Sequence, residues 1–331
     1  MAIINIADPA IRQPPPGQVR PYPPPTSTGK IPFTTPSPHN LQSETWYAIY
    51  GTLTPTATPL IALHGGPGCG HNYLKPLSLL STGSHHARPV VLYDQVGCGR
   101  STRFRDRRLD DTFWRPGLFA AELDNLVSRL GIKSFDVLGH SWGGMLAAEY
   151  AVARPVGLRR LVICDSLADM ATFSAVEHEL RGLLPSDVQE ALSRGEEEGT
   201  TGSSEYEAAI MEFYKLFLCR VRPISEEFVE TLENMKEDDT AYYTMNGSSV
   251  FQTTGSLKNW DIKPELHKIE VPTLLINGKF DNAQDAAMAP FFSRIQSKVK
   301  WVKFAESSHL PHLEETEDFM IVVSKFLTEE I

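Results

Sequence analysis

The sequence predicts an α/β fold: a mostly parallel sheet with helices on both faces and a helical cap inserted late in the chain. Three observations carry that expectation. Short apolar runs with the character of strands buried on both faces alternate with stretches of helical spacing. The alternation breaks after about residue 167, through a charged and mostly helical stretch, and resumes after residue 260. At 139–143 the chain reads Gly-His-Ser-Trp-Gly between a strand-like run, Phe135–Leu138, and a helix-like one, Met145–Tyr150. In that context the pattern means a sharp strand-to-helix turn that exposes the serine.

The elements follow in order. Residues 8–40 carry Pro14–Pro16, Pro21, Pro23–Pro25, Pro32, Pro36 and Pro38, which disfavours a helix and suits an extended arm over 1–40. Glu44–Tyr50, Pro59–Leu63 and Pro89–Tyr93 read as strands. Leu118, Leu123, Leu126, Val127 and Leu130 have helical spacing, and Gly131 ends it. The elbow strand and the apolar run Leu158–Asp165 complete the first part of a core spanning 41–167. Residues 168–260 form the cap insertion. There Glu205–Arg220 is amphipathic, and Glu196-Glu197-Glu198 reads as a solvated loop. Core character returns over 261–331, with strands at Pro272–Ile276 and Val299–Phe304. Ligands of such sheets bind at the carboxyl ends of the strands, which is where the cap would lie.

Bulk properties narrow the function. A chain of 331 residues with net charge −10 holds one large domain or two ordinary ones and disfavours a nucleic-acid partner. No run approaches a membrane span, and the first residues lack the basic and apolar regions of a secretory signal. Cys69, Cys98, Cys164 and Cys219 are scattered without metal-ligand spacing, so free thiols in a cytoplasmic protein are expected.

A serine hydroxyl needs a base to take its proton and a third group to orient that base. Ser141 supplies the hydroxyl. Asp281 follows the strand 272–276 and His309 follows the strand 299–304, so three separate loops deliver Ser, Asp and His to one rim of the sheet. Asp285 competes with Asp281, which lies closer to its strand; His312 competes with His309 but falls inside the next helical stretch. A tetrahedral intermediate also needs N–H donors. Trp142 offers one, and His64-Gly65-Gly66-Pro67-Gly68 the other. Pro67 has no N–H, so Gly66 or Gly65 must donate, and Gly66 is favoured. No metal or organic cofactor is required.

Together, His64–Leu74, Tyr93–Ser101 and Gly139–Leu146 resemble the proline iminopeptidase group of α/β-hydrolases, which includes L-amino-acid amidases. The resemblance runs from about residue 30 to the C-terminus. It implies a serine hydrolase that releases N-terminal residues or cleaves amino-acid amides, with Ser141, Asp281 and His309 as its triad and a small molecule or short peptide as its substrate. The stretch 94–101 itself reads as structural and not catalytic, a turn packed under the site with Asp94 and Arg100 as candidates to pair.

One departure concerns the substrate's ammonium, which this group holds with acidic side chains. Val250 stands where such an acid is expected, and a second expected acid falls near Ala208. Glu205, Glu207 or Glu212 could substitute, with Gly65 also close to substrate. A neutral pocket would instead suit an ester, a lactone or an uncharged amide. A binding protein on the same scaffold is disfavoured because no triad residue is missing.

Overall fold

The computed structural model describes residue 4 and residues 15–17, 21–82 and 87–329. Eight strands form one sheet: β1 (Ser27–Thr34), β2 (Gln42–Tyr50), β3 (Leu60–Leu63), β4 (Val90–Tyr93), β5 (Phe135–His140), β6 (Leu158–Cys164), β7 (Thr273–Gly278) and β8 (Val299–Phe304). Their order is β1-β2-β4-β3-β5-β6-β7-β8. β2 is antiparallel to both β1 and β4; every other pairing is parallel. The fold is the α/β class expected.

Ten α-helices accompany the sheet among the described residues: α1 (Pro116–Arg129), α2 (Trp142–Val152), α3 (Met170–Arg181), α4 (Ser186–Glu197), α5 (Ser204–Phe217), α6 (Glu226–Glu237), α7 (Thr240–Met245), α8 (Asp285–Arg294), α9 (Pro311–Glu314) and α10 (Thr316–Thr328). The strand period of two divides the core between the sheet's faces. Ile61, Leu63, Val91 and Val137 pack in one cluster with Leu123 and Leu126 of α1 and Leu146 of α2. Leu60, Ala62, Val90 and Leu138 pack in another with Leu74 and Leu77 of a 3-10 segment and Phe319 and Val323 of α10. Central strands covered on both sides favour apolar residues on both faces, which explains runs such as Leu60–Leu63 and Val90–Tyr93.

The proline-rich arm needs correction. Residues 27–34 are not a loose extension but β1, paired with β2 along its whole length. Pro32 is tolerated because β1 is an edge strand, where a missing N–H costs no ladder bond. The prolines up to Pro14 lie outside the described residues.

Helices α3 to α7 all fall between β6 and β7. Side-chain oxygens of Asp169, Ser203 and Ser225 accept hydrogen bonds from the first-turn N–H groups of α3, α5 and α6, which starts each helix at a defined residue. The segment has its own apolar centre, including Val176, Leu180, Tyr206, Phe213, Phe217 and Phe251. The acidic run is not a solvated loop throughout. Glu196 belongs to α4; its side chain is only 7% exposed, lies 2.7 Å from the Arg181 guanidinium and accepts a 2.7 Å hydrogen bond from Ser249 Oγ. A buried carboxylate needs such partners, and Arg181 supplies the charge.

Candidate active site

Ser141 sits between β5 and α2 with φ 56° and ψ −122°, a left-handed backbone that only a built turn imposes on a serine. The turn is possible because its neighbours lack side chains. A Cβ on Gly139 would lie 2.0 Å from Gly143 O, and one on Gly143 would lie 2.1 Å from Leu63 O. The serine backbone is tied to β6 by a 2.9 Å bond from its N–H to Cys164 O, and Ser166 Oγ donates to its carbonyl at 2.8 Å.

Asp281 and His309 come from the loops after β7 and β8. The imidazole Nδ1 and Asp281 Oδ1 are 2.6 Å apart, and both residues are buried. A carboxylate accepts, so Nδ1 carries the proton and Nε2 is left free to accept one. His309 and Ser141 line one cavity of about 310 Å³. No hydrogen bond joins the serine hydroxyl to the ring; such bonds often tighten only when substrate arrives. The competitors stand elsewhere. Asp285 pairs with Lys303 at 2.8 Å and with Asn277 at 3.0 Å. His312 is buried, its pKa pushed down to about 3 by desolvation and by the neighbouring His309.

Two supports were not anticipated from the sequence. Glu314 in α9 accepts from Ser308 N–H at 2.7 Å and Leu310 N–H at 3.2 Å, so one carboxylate grips the chain on either side of His309. His140 Nε2 lies 2.7 Å from His309 O and must donate to it. Its Nδ1 therefore accepts, from Tyr73 Oη at 2.8 Å, and Tyr73 Oη in turn accepts from Gly65 N–H at 2.7 Å. The result is a polarised chain from the glycine loop to the His309 backbone. Burial, reinforced by the two neighbouring histidines, holds His140 well below the usual histidine range, in the neutral form that the chain requires.

That chain also separates the glycines. Gly65 N–H is committed to Tyr73, which leaves Gly66 as the loop's candidate donor beside Trp142 N–H. Gly66 has φ +109°, and a Cβ there would meet Gly68 N at 2.6 Å. Gly65 lines the cavity, and a Cβ on it would press on Ser141 Cβ at 3.1 Å, so glycine permits the close approach. The turn at 94–101 is structural, as expected, but without an Asp94–Arg100 ion pair. Asp94 accepts from the Arg100 backbone N–H at 2.9 Å, while the guanidinium stacks 4.7 Å from the Trp46 ring. Gln95 of this turn bridges the two donor loops, giving a 3.0 Å bond to His64 O and taking one of 2.9 Å from the Trp142 indole.

The inserted helices roof the cavity with Met170, Phe173, Ile210, Tyr214, Phe228 and Leu232 among others. Of the acids expected there, Glu205 and Glu212 stand outside it. Glu205 pairs with Arg194 and Glu212 with Lys215 on the exposed side of α5. The reason is helix phase: Tyr206, Ile210, Phe213 and Phe217 turn inward, so 205 and 212 turn out. Glu207 reaches the lining from an exposed position, and Val250 lines the cavity without any charge.

The buried acid of the cavity is instead Glu177, on α3. It is 1% exposed, Oε1 accepts from Asn282 Nδ2 at 3.0 Å, and Oε2 has no partner. Burial pushes its pKa up to about 8. A signal for it was present: Met170, Phe173, Glu177, Leu180 and Leu184 follow a three-four spacing, so the glutamate occupies a place on an apolar stripe.

Fold and site together define a hydrolase. Residues 58–316 match the family model described as the alpha/beta hydrolase fold. A proline iminopeptidase of Heyndrickxia coagulans is 37% identical over 82% of this chain and 90% of its own length. One from Clostridium botulinum is 32% identical over 87% and 95% respectively. Among solved structures, VinJ superposes with a TM-score of 0.85 at 39% identity, covering 92% of this chain and 99% of that one. The proline iminopeptidase of Mycobacterium smegmatis superposes with a TM-score of 0.81 at 40% identity, covering 91% and 97%. The chain belongs to the proline iminopeptidase group of the α/β-hydrolase family.

Proposed function

We propose that this serine hydrolase releases an N-terminal residue, proline or a small amino acid, from a short peptide or amide, with the helices of 168–260 acting as a cap. Ser141 Oγ attacks the carbonyl carbon while His309 Nε2 takes its proton, and Asp281 holds the resulting imidazolium. The oxyanion is received by the N–H groups of Gly66 and Trp142. His309 passes the proton to the leaving nitrogen as the C–N bond breaks. Water, deprotonated by the same ring, then attacks the acyl-enzyme and restores Ser141. The relatives' activity supports the reaction. The four free cysteines fit a reducing compartment, and we place the enzyme in the cytoplasm.

The observation that carries the free-amine reading is Glu177, with an unpartnered carboxylate oxygen buried in the lining that also contains Ser141. A substrate ammonium is the partner such an oxygen lacks. The test compares a prolyl or alanyl naphthylamide with its N-acetylated form and with a neutral acyl ester. The free amine should be cleaved and the acetylated form should not. Glu177→Gln should raise KM for the amine roughly 10- to 100-fold, the worth of a charge-assisted hydrogen bond, and leave ester cleavage unchanged. Because the ionised form binds the cation and the pKa lies at about 8, kcat/KM for the amine should climb as pH rises toward 8. That limb should vanish in Glu177→Gln.

The same burial supports a second reading. Well below pH 8 Glu177 is mostly protonated, and a largely apolar lining with Val250 suits a neutral ester or lactone. Cleavage of the ester with the naphthylamides untouched would decide for it.

A further inference from the structure

The loop after β6 brings a second carboxyl to the back of the site. Asp165 is fully buried, with φ +48°, and its backbone N–H is bonded to Ile276 O at 2.8 Å. Its Oδ1 accepts from Gly278 N–H at 3.1 Å. Carboxylate oxygens of Asp165 and Asp281 and a ring nitrogen of His309 lie within 4.8 Å of one another. Asp281 Oδ1 is fully used as an acceptor, from His309 Nδ1–H at 2.6 Å and from Ala283 N–H at 2.9 Å. What remains is one Oδ2 on each acid, and both are buried without a partner.

The two carboxyls lie against each other; two buried carboxylates held that close are not both ionised, and a single proton shared between them satisfies the oxygens left without partners. The proton belongs on Asp165, since Asp281 is the acid that receives the imidazole N–H. Among the described residues, Glu314, Cys164 and Tyr73 are the further titratable groups whose charges couple to Asp165, and none of them is a cation that would favour its charge. Burial, followed by the Asp281 charge, drives its carboxyl well above the ordinary range.

We propose that Asp165 is a positioning residue: it stays protonated at neutral pH and donates a hydrogen bond from Oδ2 to Asp281 Oδ2. This bond fixes the Asp281 plane so that Oδ1 faces His309, and it draws negative charge away from the oxygen that serves the ring. The inference rests on the assignment of Asp281 and His309 as acid and base, but its first test does not.

Infrared difference spectra of the wild-type protein against Asp165→Asn at neutral pH read the protonation state directly. The expected result is loss of a protonated-carboxyl carbonyl band that shifts in heavy water. Loss of ionised-carboxylate bands instead overturns the proposal. Asparagine keeps both contacts, since its amide donates to Asp281 and its oxygen accepts from Gly278, so Asp165→Asn should retain kcat within a few-fold. Asp165→Ala should lower kcat roughly 10- to 100-fold with KM unchanged, as expected for a hydrogen bond to a charged group. Its acid limb should move to higher pH, because an unshared Asp281 holds the imidazolium more firmly. If asparagine fails as badly as alanine, the donor role is wrong. If alanine does not fold, the infrared result and the asparagine kinetics still decide. Should Ser141→Ala prove active, the triad assignment falls, while the protonation of Asp165 stands or falls on its spectrum.

Discussion

The floor and the roof of the cavity are built by different rules. On the floor, the glycines of the elbow are set by steric contact: Cβ atoms on Gly139 and Gly143 would lie 2.0 Å and 2.1 Å from carbonyl oxygens, and a Cβ on Gly144 would lie 2.6 Å from the Ser166 side chain. Residue type follows from sterics, and a short motif records it. In the roof, position is set by helix phase and by which apolar side chains meet. The same task of placing an acid could be met from α3, from α5 or from the loop that holds Val250. The difference teaches that reaction type is written locally along this chain, whereas substrate preference is written in the packing of helices distant in sequence.

The sharpest way to break the comparison is Ser141→Ala. If the floor alone determines the chemistry, turnover should fall on the order of 10⁶-fold, as removal of a triad nucleophile does elsewhere. The fold should be intact, because the hydroxyl makes no packing contact that defines the elbow; circular dichroism alongside steady-state kinetics checks both. Near-normal turnover in a clean preparation would remove the serine from the reaction.

A smaller effect tests whether the floor extends beyond the triad. Tyr73 links Gly65 N–H to His140, and His140 holds the carbonyl of His309. Tyr73→Phe keeps the ring and deletes the hydroxyl, leaving a buried N–H and a buried imidazole nitrogen without partners. Such losses cost about 1–3 kcal/mol per group. The expected result is a fall of about 10-fold or more in kcat with little change in KM. A change confined to KM would assign Tyr73 to substrate contact instead.

How much was legible follows the same division. The elbow, the glycine loop and the order Ser141, Asp281, His309 could be read because tight turns and strand ends restrict residue choice. Asp165 was visible only as the end of an apolar run, although it follows β6 as Asp281 follows β7. Its meaning depends on β6 and β7 being neighbours, which the order of elements along the chain does not state. Glu177 was overlooked because a lone glutamate in a helix is ordinarily solvated; its place on the stripe Met170–Leu184 was the available clue. Glu196 was misread for the same reason, since its partner Arg181 lies fifteen residues away. Residues 27–34 were counted with the arm because Pro32 obscured an edge strand.

The smallest expected effect is also informative. Glu205 and Glu212 were natural candidates for the amine site from sequence, yet each forms an exposed pair on the outer side of α5. Exposed pairs contribute at most about 1 kcal/mol to stability. Neutralising both, as Glu205→Gln with Glu212→Gln, should leave kcat and KM for a free-amine substrate unchanged and shift thermal stability only slightly. Glu207→Gln, at the cavity lining, should act between these and Glu177→Gln: its exposed carboxylate is screened by solvent, so its pull on an ammonium should fade as salt is raised. A large rise in KM for the Glu205, Glu212 double variant would mean that α5 turns its outer face toward the substrate during turnover. The roof would then be a moving element, and the acid serving the amine would have to be sought there and not on α3.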